Sequence, residues 1–290
     1  MELHQLRYLR AVVRSGSVTA AAEAEFVAQP SVSKQLRLLE RELGVPLFHR
    51  VGRKVVATDA ALALADCADR VFDDLAATVA AVSGPESVRG GTLRMCATET
   101  VTDHLLPPAL TELKRLYPEC HVRVEMLGTD DAVAKVLADE VDLAIVALPL
   151  ADSRLDIHLL LEEEVLLAVP RGHRWAEWER VPMEDVLAEP GLLLSMPGHG
   201  LRALVDDASR RAGIEAAGRI ELRSQAALLA MVAAGGGVAF APRMTVEGRT
   251  DVTAVPVVPA LSRQVGWVRR RGRHLPAIGV ELLRLVGWTE

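Results

Sequence analysis

Apolar residues in the first sixty positions recur at intervals of three and four, a spacing that predicts short amphipathic helices. The clearest stripe runs through residues 29–43 and ends before Gly44 and Pro46, residues that terminate helices. Its apolar positions are Val32, Leu36, Leu39 and Leu43. Short polar and basic side chains occupy the other face: Ser31, Ser33, Lys34, Arg37 and Arg41. The pattern predicts the second helix of a helix-turn-helix that enters a DNA major groove, with an ordinary surface helix as the alternative.

A short basic segment follows this helix. Residues 49–54 predict a turn between two strands, with Gly52 at its tip and three cations, Arg50, Arg53 and Lys54. Such a turn, called a wing, places cations against the phosphate backbone or the minor groove of DNA. The two segments together predict a winged helix-turn-helix.

A longer helical pattern begins after Thr58, a good N-cap residue, and extends to about Val82. A heptad seam with alternating intervals of four and three is formed by Leu64, Ala68, Val71, Leu75, Thr78 and Val82. This spacing predicts a helix that pairs with a second copy of the chain, and the alternative is a helix packed on its own domain. Ser83, Gly84 and Pro85 then break the pattern and predict a hinge that extends to Gly91.

From Thr92 onward, apolar runs of strand length alternate with helical patterns, which predicts an α/β domain, and its length predicts two lobes. The predicted buried parallel strands are 93–97, 122–127, 141–148, 159–169, 192–195 and 238–241. Helices are predicted near 105–116, 133–137, 201–212 and 226–233. Ligands of open α/β sheets bind beyond the carboxyl ends of the strands. The candidate contact positions are therefore Thr98, Thr100, Thr102, Thr129, Ser195 and Ser224.

Charge is distributed unevenly along the chain. Residues 1–60 contain nine Lys or Arg and six Asp or Glu, whereas the remainder contains 24 and 33. A basic end on an acidic chain predicts that only the N-terminal part approaches a polyanion, and its modest excess predicts several copies in each complex. The cysteines are far apart and suggest a reducing compartment. Arginines interrupt the apolar N-terminus, so we expect no signal peptide, no membrane association and a cytoplasmic location.

Several longer motifs occur in a fixed order. The N-terminal ones are M-E-L-H-Q-L-R-Y-L, S-G-S-V-T-A-A-A, A-Q-P-S-V-S-K-Q-L-R-L-L-E-R-E-L-G-V-P-L-F-H-R and A-T-D-A-A. The C-terminal ones are L-L-P-P-A-L-T-E-L-K-R-L-Y-P, V-D-L-A-I, E-E-V-L-L-A-V-P-R-G-H and A-L-L-A-M-V-A-A-G-G-G-V-A-F-A-P. Over essentially its whole length, the chain resembles the LysR-type transcriptional regulators.

This resemblance implies an α/β fold with an all-α winged helix-turn-helix at residues 1–58 and a dimerising linker helix with its hinge at 59–91. It implies an effector domain at 92–290 similar to type 2 periplasmic binding proteins, with lobe I at about 92–163 and 265–290 and lobe II at about 164–264. The implied partners are promoter DNA of dyad symmetry, a small-molecule effector and further copies of the chain, forming a homodimer and then a homotetramer. RNA polymerase is another candidate partner. The family implies no cofactor, no metal and no catalysis.

The resemblance also implies roles for individual residues. The helix-turn-helix residues that it assigns to bases and phosphates are Gln29, Pro30, Ser31, Ser33, Lys34 and Arg37. The wing residues are Arg50, Arg53 and Lys54. The residues on effector-contacting segments are Thr98, Thr100, Thr129, Ser195 and Ser224.

The chain departs from the family pattern at three positions. Ala20 stands near a position where the family commonly has an arginine that reaches DNA. Glu25 replaces a usual leucine, so we expect Phe26 to take that place in the core. Ala61 replaces a glycine at the start of the linker helix, which suits a helix.

Three carboxylates lie beside the predicted cleft segments: Glu99, Asp130 and Asp131. We expect them to be solvated at the rim of the cleft. If they pointed inward, they would disfavour a simple anionic effector and favour one with an amine.

Three other functions are compatible with parts of the chain. An enzyme is disfavoured because the sequence has no H-E-x-x-H, P-loop or G-x-S-x-G motif. A solute-binding protein would share the two lobes but not the helix-turn-helix. A redox-sensing regulator could use Cys96 and Cys120, although their spacing and their predicted positions in a strand and a loop do not indicate a redox switch.

Overall fold

The computed structural model describes residues 1–51, 54–83, 91–198 and 200–289, and it divides into two compact units, Met1–Ser83 and Gly84–Glu290. The first unit contains short helices, a two-stranded wing and one long helix. In chain order these are α1 (Leu3–Ser15), α2 (Val18–Ala24), α3 (Gln29–Leu43), β1 (Phe48–Val51), β2 (Lys54–Ala57) and α4 (Asp59–Ser83).

Local chemistry explains where the helices of the first unit begin and end. The Ser17 hydroxyl accepts the Ala20 N–H at the start of α2, and Thr58 Oγ1 accepts the Ala61 N–H at 3.2 Å at the start of α4. Gly44 ends α3 in the left-handed conformation, with φ of 70°. The apolar stripe of α3 faces a core that also contains Leu9 of α1, as its periodicity predicts. Leu43, at the end of the stripe, is 40% exposed.

Phe26 does not take the core position that the sequence predicts for it. It lies in the turn between α2 and α3, has a φ of 54°, and is 96% exposed. Val27 packs against the core from this turn instead. Glu25, at the position of the usual leucine, pairs with Arg7 at 2.8 Å. The prediction was wrong because the left-handed turn directs the side chain of residue 26 to solvent.

The second unit alternates strands and helices, and a π-helical turn, Val101–Leu105, leads directly into its first α-helix. Its helices are α5 (Leu106–Leu116), α6 (Thr129–Leu137), α7 (Met183–Leu187), α8 (Gly200–Ala212), α9 (Gln225–Ala233), α10 (Arg243–Val246) and α11 (Ala277–Leu285). Its strands are β3 (Thr92–Ala97), β4 (His121–Met126), β5 (Leu143–Leu148), β6 (Leu155–Pro170), β7 (Val181–Pro182), β8 (Leu192–Ser195), β9 (Ile220–Leu222), β10 (Val238–Pro242), β11 (Val252–Val255), β12 (Val257–Val258) and β13 (Leu261–Arg270).

The main sheet has the strand order β4-β3-β5-β13-β6-β10-β8-β9, and β11 also pairs with β6. The strands β3, β4 and β5 are parallel, as are β8, β9 and β10. Residues 159–169 were predicted to form a parallel strand, but they belong to β6, which is antiparallel to β13, β10 and β11. The cause is that the chain crosses between two lobes on β6 and returns on β13.

Each lobe has its own hydrophobic core. In lobe I, helices α5 and α11 cover one face of β3 and β5, while α6 covers the other. In lobe II, the two faces of β8 and β10 are covered by α7 with α8, and by α9. On β6, Leu161 packs in lobe I and Val165 packs in lobe II. Strand β6 therefore passes from the core of lobe I into the core of lobe II. Within the described residues, no helix is long and apolar enough to cross a membrane.

Candidate functional site

The outward face of α3 carries the side chains that the sequence assigns to DNA. Val32, Leu36 and Leu39 face the core, and the opposite side of the helix carries its exposed positions. Ser33 is half-buried, and the other five predicted contact residues are exposed: Gln29, Pro30, Ser31, Lys34 and Arg37. The structure therefore gathers all six residues on one accessible surface.

Hydrogen bonds within α3 order part of this surface. The Gln29 Nε2 donates to Ser33 Oγ at 2.8 Å, and the Arg37 Nε donates to the Ser33 carbonyl at 3.1 Å. Both long side chains are thereby held along the helix in the free protein, which reduces the entropy that they lose when they bind.

The cations of this surface differ from the other cations of the first unit. Arg10 and Arg14 of α1 both contact Asp69 of α4. By contrast, no carboxylate among the described residues pairs with Lys34, Arg37 or Arg41. These three line a surface cavity of about 710 Å³ together with Glu40, Gly44, Val45 and Pro46. Unpaired cations around a concave surface are suited to phosphate oxygens.

Glu40 fixes the wing relative to α3. Its Oε1 accepts the backbone N–H groups of Leu47 at 2.8 Å and Phe48 at 3.3 Å, so the carboxylate is engaged with the protein.

The Gln5 Nε2 donates to Gln35 Oε1 at 3.1 Å and connects α1 to α3.

The wing strands are present as predicted, and Val51 pairs with Lys54, whereas the predicted tip residue Gly52 lies outside the described residues. The backbones of Arg50 and Lys54 lie on these strands, whereas their side chains are outside the described part of the structure. Arg53 also lies outside the described residues.

The predicted effector residues lie at the ends of strands and the starts of helices in the second unit. Thr98 and Thr100 follow β3, Thr129 begins α6, Ser195 ends β8, and Ser224 is the N-cap of α9. Thr129 Oγ1 accepts the Ala147 N–H at 3.3 Å. Ser195 is buried, and its backbone carbonyl accepts a hydrogen bond from Arg202 at 3.0 Å.

Glu99 joins the two lobes, which corrects its predicted place at a solvated rim. One carboxylate oxygen accepts the Ser224 hydroxyl at 2.7 Å, and the other accepts the Gln225 N–H at 3.0 Å. Asp130 and Asp131 are exposed, as expected for the rim. The sequence signal for Glu99 was its place directly between two predicted contact residues.

A second contact between the lobes lies at the start of α8. A Cβ atom placed on Gly200 would lie 2.8 Å from the Ala147 Cβ, too close for two carbon atoms. Gly200 of lobe II therefore rests directly on β5 of lobe I. This contact cannot be read from the sequence, because a glycine at a helix start has many other causes. His199, which precedes it, lies outside the described residues.

Thr100 has an unusual environment. Its side chain is only 8% exposed, and Oγ1 has no hydrogen-bond partner among the described atoms. A buried hydroxyl without a partner costs about 1–3 kcal/mol, so natural sites of this kind require an explanation. Thr100 also directly precedes the π-helical turn, a feature frequent at functional sites.

The cysteine positions do not favour a disulfide switch. Cys96 is fully buried in β3 opposite Glu125, whereas Cys120 precedes β4 and packs in the core on the other face of the sheet. Strand geometry separates them by about 15 Å, and a disulfide needs Cα atoms within about 7 Å. Burial raises the pKa of the Cys96 thiol to about 11, which suppresses the reactive thiolate.

No group of three or more His, Cys, Asp or Glu among the described residues is arranged to hold a metal ion. The two units instead carry side chains suited to two different kinds of ligand. The first unit presents a cationic helix to a polyanion, and the second holds hydroxyl and amide donors in a cleft between two lobes.

Two family models match the chain. "Bacterial regulatory helix-turn-helix protein, lysR family" matches residues 3–62, and "LysR substrate binding domain" matches residues 86–286. The DNA-binding transcriptional dual regulator OxyR of Escherichia coli K12 is 32% identical over 280 residues, which cover 95% of this chain and 91% of that protein.

Two solved structures are similar over nearly the whole chain. A mutant of Corynebacterium glutamicum OxyR has a TM-score of 0.77 at 23% identity, and it covers 98% of this chain and 91% of its own. Full-length CbnR in complex with its target DNA has a TM-score of 0.61 at 24% identity, and it covers 99% of both chains. At these identities the two structures support the fold alone.

Proposed function

Because the chain belongs to the LysR family of transcriptional regulators, we propose that it binds promoter DNA through α3 and the wing, and that a small molecule in the cleft changes this complex. The observation that carries DNA binding is the exposed face of α3, where Lys34, Arg37 and Arg41 have no carboxylate partner within the described residues. The resulting protein is a regulator that catalyses no reaction.

Different residues serve different parts of the DNA site. The residues of α3 that contact base edges and nearby phosphates are Gln29, Pro30, Ser31, Ser33, Lys34 and Arg37. The wing residues Arg50, Arg53 and Lys54 contact the phosphate backbone or the minor groove. Arg37 is the candidate for a bidentate contact with guanine, because its planar guanidinium matches two acceptors of that base.

The proposed assembly brings two copies of α3 to one DNA site. Residues 1–58 form the DNA-binding domain, residues 59–91 the dimerising linker and hinge, and residues 92–290 the effector domain. The dimer forms through α4, where Leu75 and Val79 are exposed apolar side chains. Two helices about 34–36 Å apart match successive major grooves and a dyad-symmetric site.

Two such dimers form a tetramer in the cytoplasm, and RNA polymerase is the partner through which an activating complex would act. CbnR, which is similar in fold, is described in complex with its target DNA. The modest cationic excess of one N-terminal unit supports several copies per site, because phosphate contacts add across the copies.

The effector is a small molecule that contacts Thr98, Thr100, Thr129, Ser195 and Ser224. The two lobes meet at β6 and β13, so closure about these strands transmits occupancy of the cleft to the rest of the assembly. The Thr100 hydroxyl, which has no partner among the described atoms, supports this placement. Disulfide sensing through Cys96 and Cys120 is not proposed, because the two thiols lie far apart on opposite faces of the sheet.

Selection from a pool of random DNA duplexes tests the proposal, because it requires no defined operator sequence. The full chain should enrich sequences with dyad symmetry, and Arg37→Ala should weaken binding to the enriched site by about 1–3 kcal/mol. Arg14→Ala is the matched control, because Arg14 is exposed but pairs with Asp69. Fluorescence anisotropy at fixed salt gives both affinities. Equal losses for the two variants would remove Arg37 from the base contacts, and failure to enrich any site would contradict DNA recognition.

A further inference from the structure

Glu99 accepts hydrogen bonds from Ser224 and Gln225, which lie 125 and 126 residues further along the chain. It lies in lobe I just after β3, and its two carboxylate oxygens reach the N-terminus of α9 in lobe II. Each oxygen accepts one hydrogen bond, from the Ser224 hydroxyl at 2.7 Å and from the Gln225 N–H at 3.0 Å. The bonds therefore cross the cleft in which we place the effector.

The N-terminus of α9 has the chemistry of an anion site. The first backbone N–H groups of a helix lack partners in the helix and carry a partial positive charge. Ser224 Oγ accepts the Ala227 N–H at 3.3 Å, which leaves the Ser224 hydroxyl proton and the Gln225 N–H directed at Glu99. These two donors would receive the carboxylate of a small ligand in the same way.

Two further observations concern the same region between the lobes. Gly200 and Ala147 are in direct contact at a second point between the lobes. Thr100, which follows Glu99 in the sequence, has a buried hydroxyl with no partner among the described atoms, so this region retains a polar group that a ligand could bond.

We propose that Glu99 acts as a tethered ligand, occupying the N-terminus of α9 and restricting the effector to uncharged or cationic molecules at this position. The proposal rests on the proposed function, since it concerns the same cleft. A free carboxylate would have to displace Glu99 and then lie beside its charge, which is unfavourable in a partly buried site. An uncharged or cationic ligand meets no such repulsion and can pair with Glu99 itself.

Acetate is the probe that tests this assignment. Glu99→Ala removes the tethered carboxylate and leaves the donors of Ser224 and Gln225 free. With 100 mM sodium acetate instead of sodium chloride, Tm of this variant should rise by about 2 °C, because acetate binds only the folded cleft. The hydrogen exchange of the Gln225 amide should slow by about fivefold in acetate, because it regains an acceptor. In the wild-type chain, replacing chloride by acetate should change neither Tm nor the hydrogen exchange of the Gln225 amide.

Asp130→Ala is the matched control, because it removes an exposed carboxylate from the same lobe and should leave the wild-type insensitivity to acetate intact. Glu99→Gln is the second variant, to be used if the alanine variant does not fold. Its neutral amide fills the same space but weakens both bonds, so it should speed Gln225 exchange without creating an acetate response. A folded Glu99→Ala protein that ignores acetate, a wild type that responds equally, or unchanged Gln225 exchange in Glu99→Gln would overturn the proposal.

These measurements contain no DNA. Acetate rescue in a protein that fails to select any operator would reject the proposed function and keep the assignment of Glu99. Operator binding by the wild-type chain, without an acetate response in Glu99→Ala, would keep the proposed function and reject the assignment of Glu99.

Discussion

Glu99 and Thr100 are neighbours in sequence with opposite hydrogen-bonding states. Both oxygens of Glu99 accept bonds from lobe II, whereas the buried Thr100 hydroxyl has no partner among the described atoms. The first residue stabilises contact between the lobes, and the second weakens the folded state by an unmade hydrogen bond. Two adjacent residues therefore differ: the Glu99 carboxylate has hydrogen-bond partners at both oxygens, and the Thr100 hydroxyl has none among the described atoms.

Thr100→Val tests whether the buried Thr100 hydroxyl, which has no partner among the described atoms, destabilises the folded state. Valine has a similar shape and removes the hydroxyl, so the free energy of unfolding should stay constant or rise by up to about 1 kcal/mol. Urea denaturation of the variant and the wild type measures the difference. Operator affinity should be unchanged, whereas the shift in affinity caused by any ligand found in a thermal-shift screen should decrease.

Thr111→Val provides the control for that experiment, because the Thr111 hydroxyl is exposed and donates to the Pro107 carbonyl. It should leave the ligand response unchanged. A loss of more than about 2 kcal/mol in Thr100→Val would mean that the Thr100 hydroxyl is hydrogen-bonded in solution.

The two ends of α4 have different surroundings. Of the predicted seam, Leu64 packs against the core of the first unit and Ala68 is fully buried, and Arg10 and Arg14 of α1 contact the adjacent Asp69. Further along, Leu75 is 43% exposed and Val79 is 60% exposed. The first part of the predicted heptad seam therefore packs on its own domain, as the alternative interpretation held. The exposed part carries the prediction of dimerisation.

Leu75→Asp should convert the proposed dimer into monomers, because it places a charge in the proposed apolar seam. Sedimentation velocity at several concentrations measures the change. Leu62→Asp is the control on the same helix, since Leu62 is 46% exposed and lies outside the heptad seam. A dimer that survives Leu75→Asp but not Leu62→Asp would place the interface on the other face of α4.

Local sequence patterns predicted the elements whose contacts are also local. The helices of the first unit followed from apolar periodicity and from Gly44, and the two wing strands followed from the pattern of residues 49–54. β13 was not predicted, because Leu261–Arg270 mixes polar, basic and apolar residues and has its partners on β5 and β6.

The cleft was predicted only at the level of segments. Strand ends gave the positions of Thr98 and Ser195, and a predicted helix start gave that of Ser224, but none showed which groups meet across the lobes. The bond from Glu99 to Gln225 depends on how the two lobes fold against each other, and no local pattern encodes it. The exposed Phe26 shows the same limit, because its backbone conformation and not its hydrophobicity sets its direction.

Within the effector domain, one buried ion pair joins β6 and β13, the two strands on which the chain passes between the lobes. Glu163 of β6 is 9% exposed and contacts Arg263 of β13, which is 10% exposed, at 2.6 Å. Glu163 also accepts the Met244 N–H at 2.9 Å. Burial lowers the pKa of Arg263, and the charge of Glu163 opposes that effect. The pair ties together the strands about which the lobes would move.

Arg263→Met should lower the free energy of unfolding by about 3–5 kcal/mol, because it leaves the Glu163 carboxylate buried without its cation. Urea denaturation followed by circular dichroism measures the loss. Arg284→Met is the matched control, because Arg284 is 62% exposed and its pair with Glu281 lies within one helix. The control should cost less than about 1 kcal/mol. Similar losses in the two variants would show that the buried pair has no special role.

The return of the chain on β13 also determines the order in which the protein can mature on the ribosome. The DNA-binding unit is complete in sequence after its first 83 residues, and chains generally fold domain by domain as they emerge. Lobe I begins at β3 but lacks a central strand until β13 has been synthesised, after all of lobe II. A nascent regulator thus acquires its surface for DNA before it acquires the means to sense a ligand.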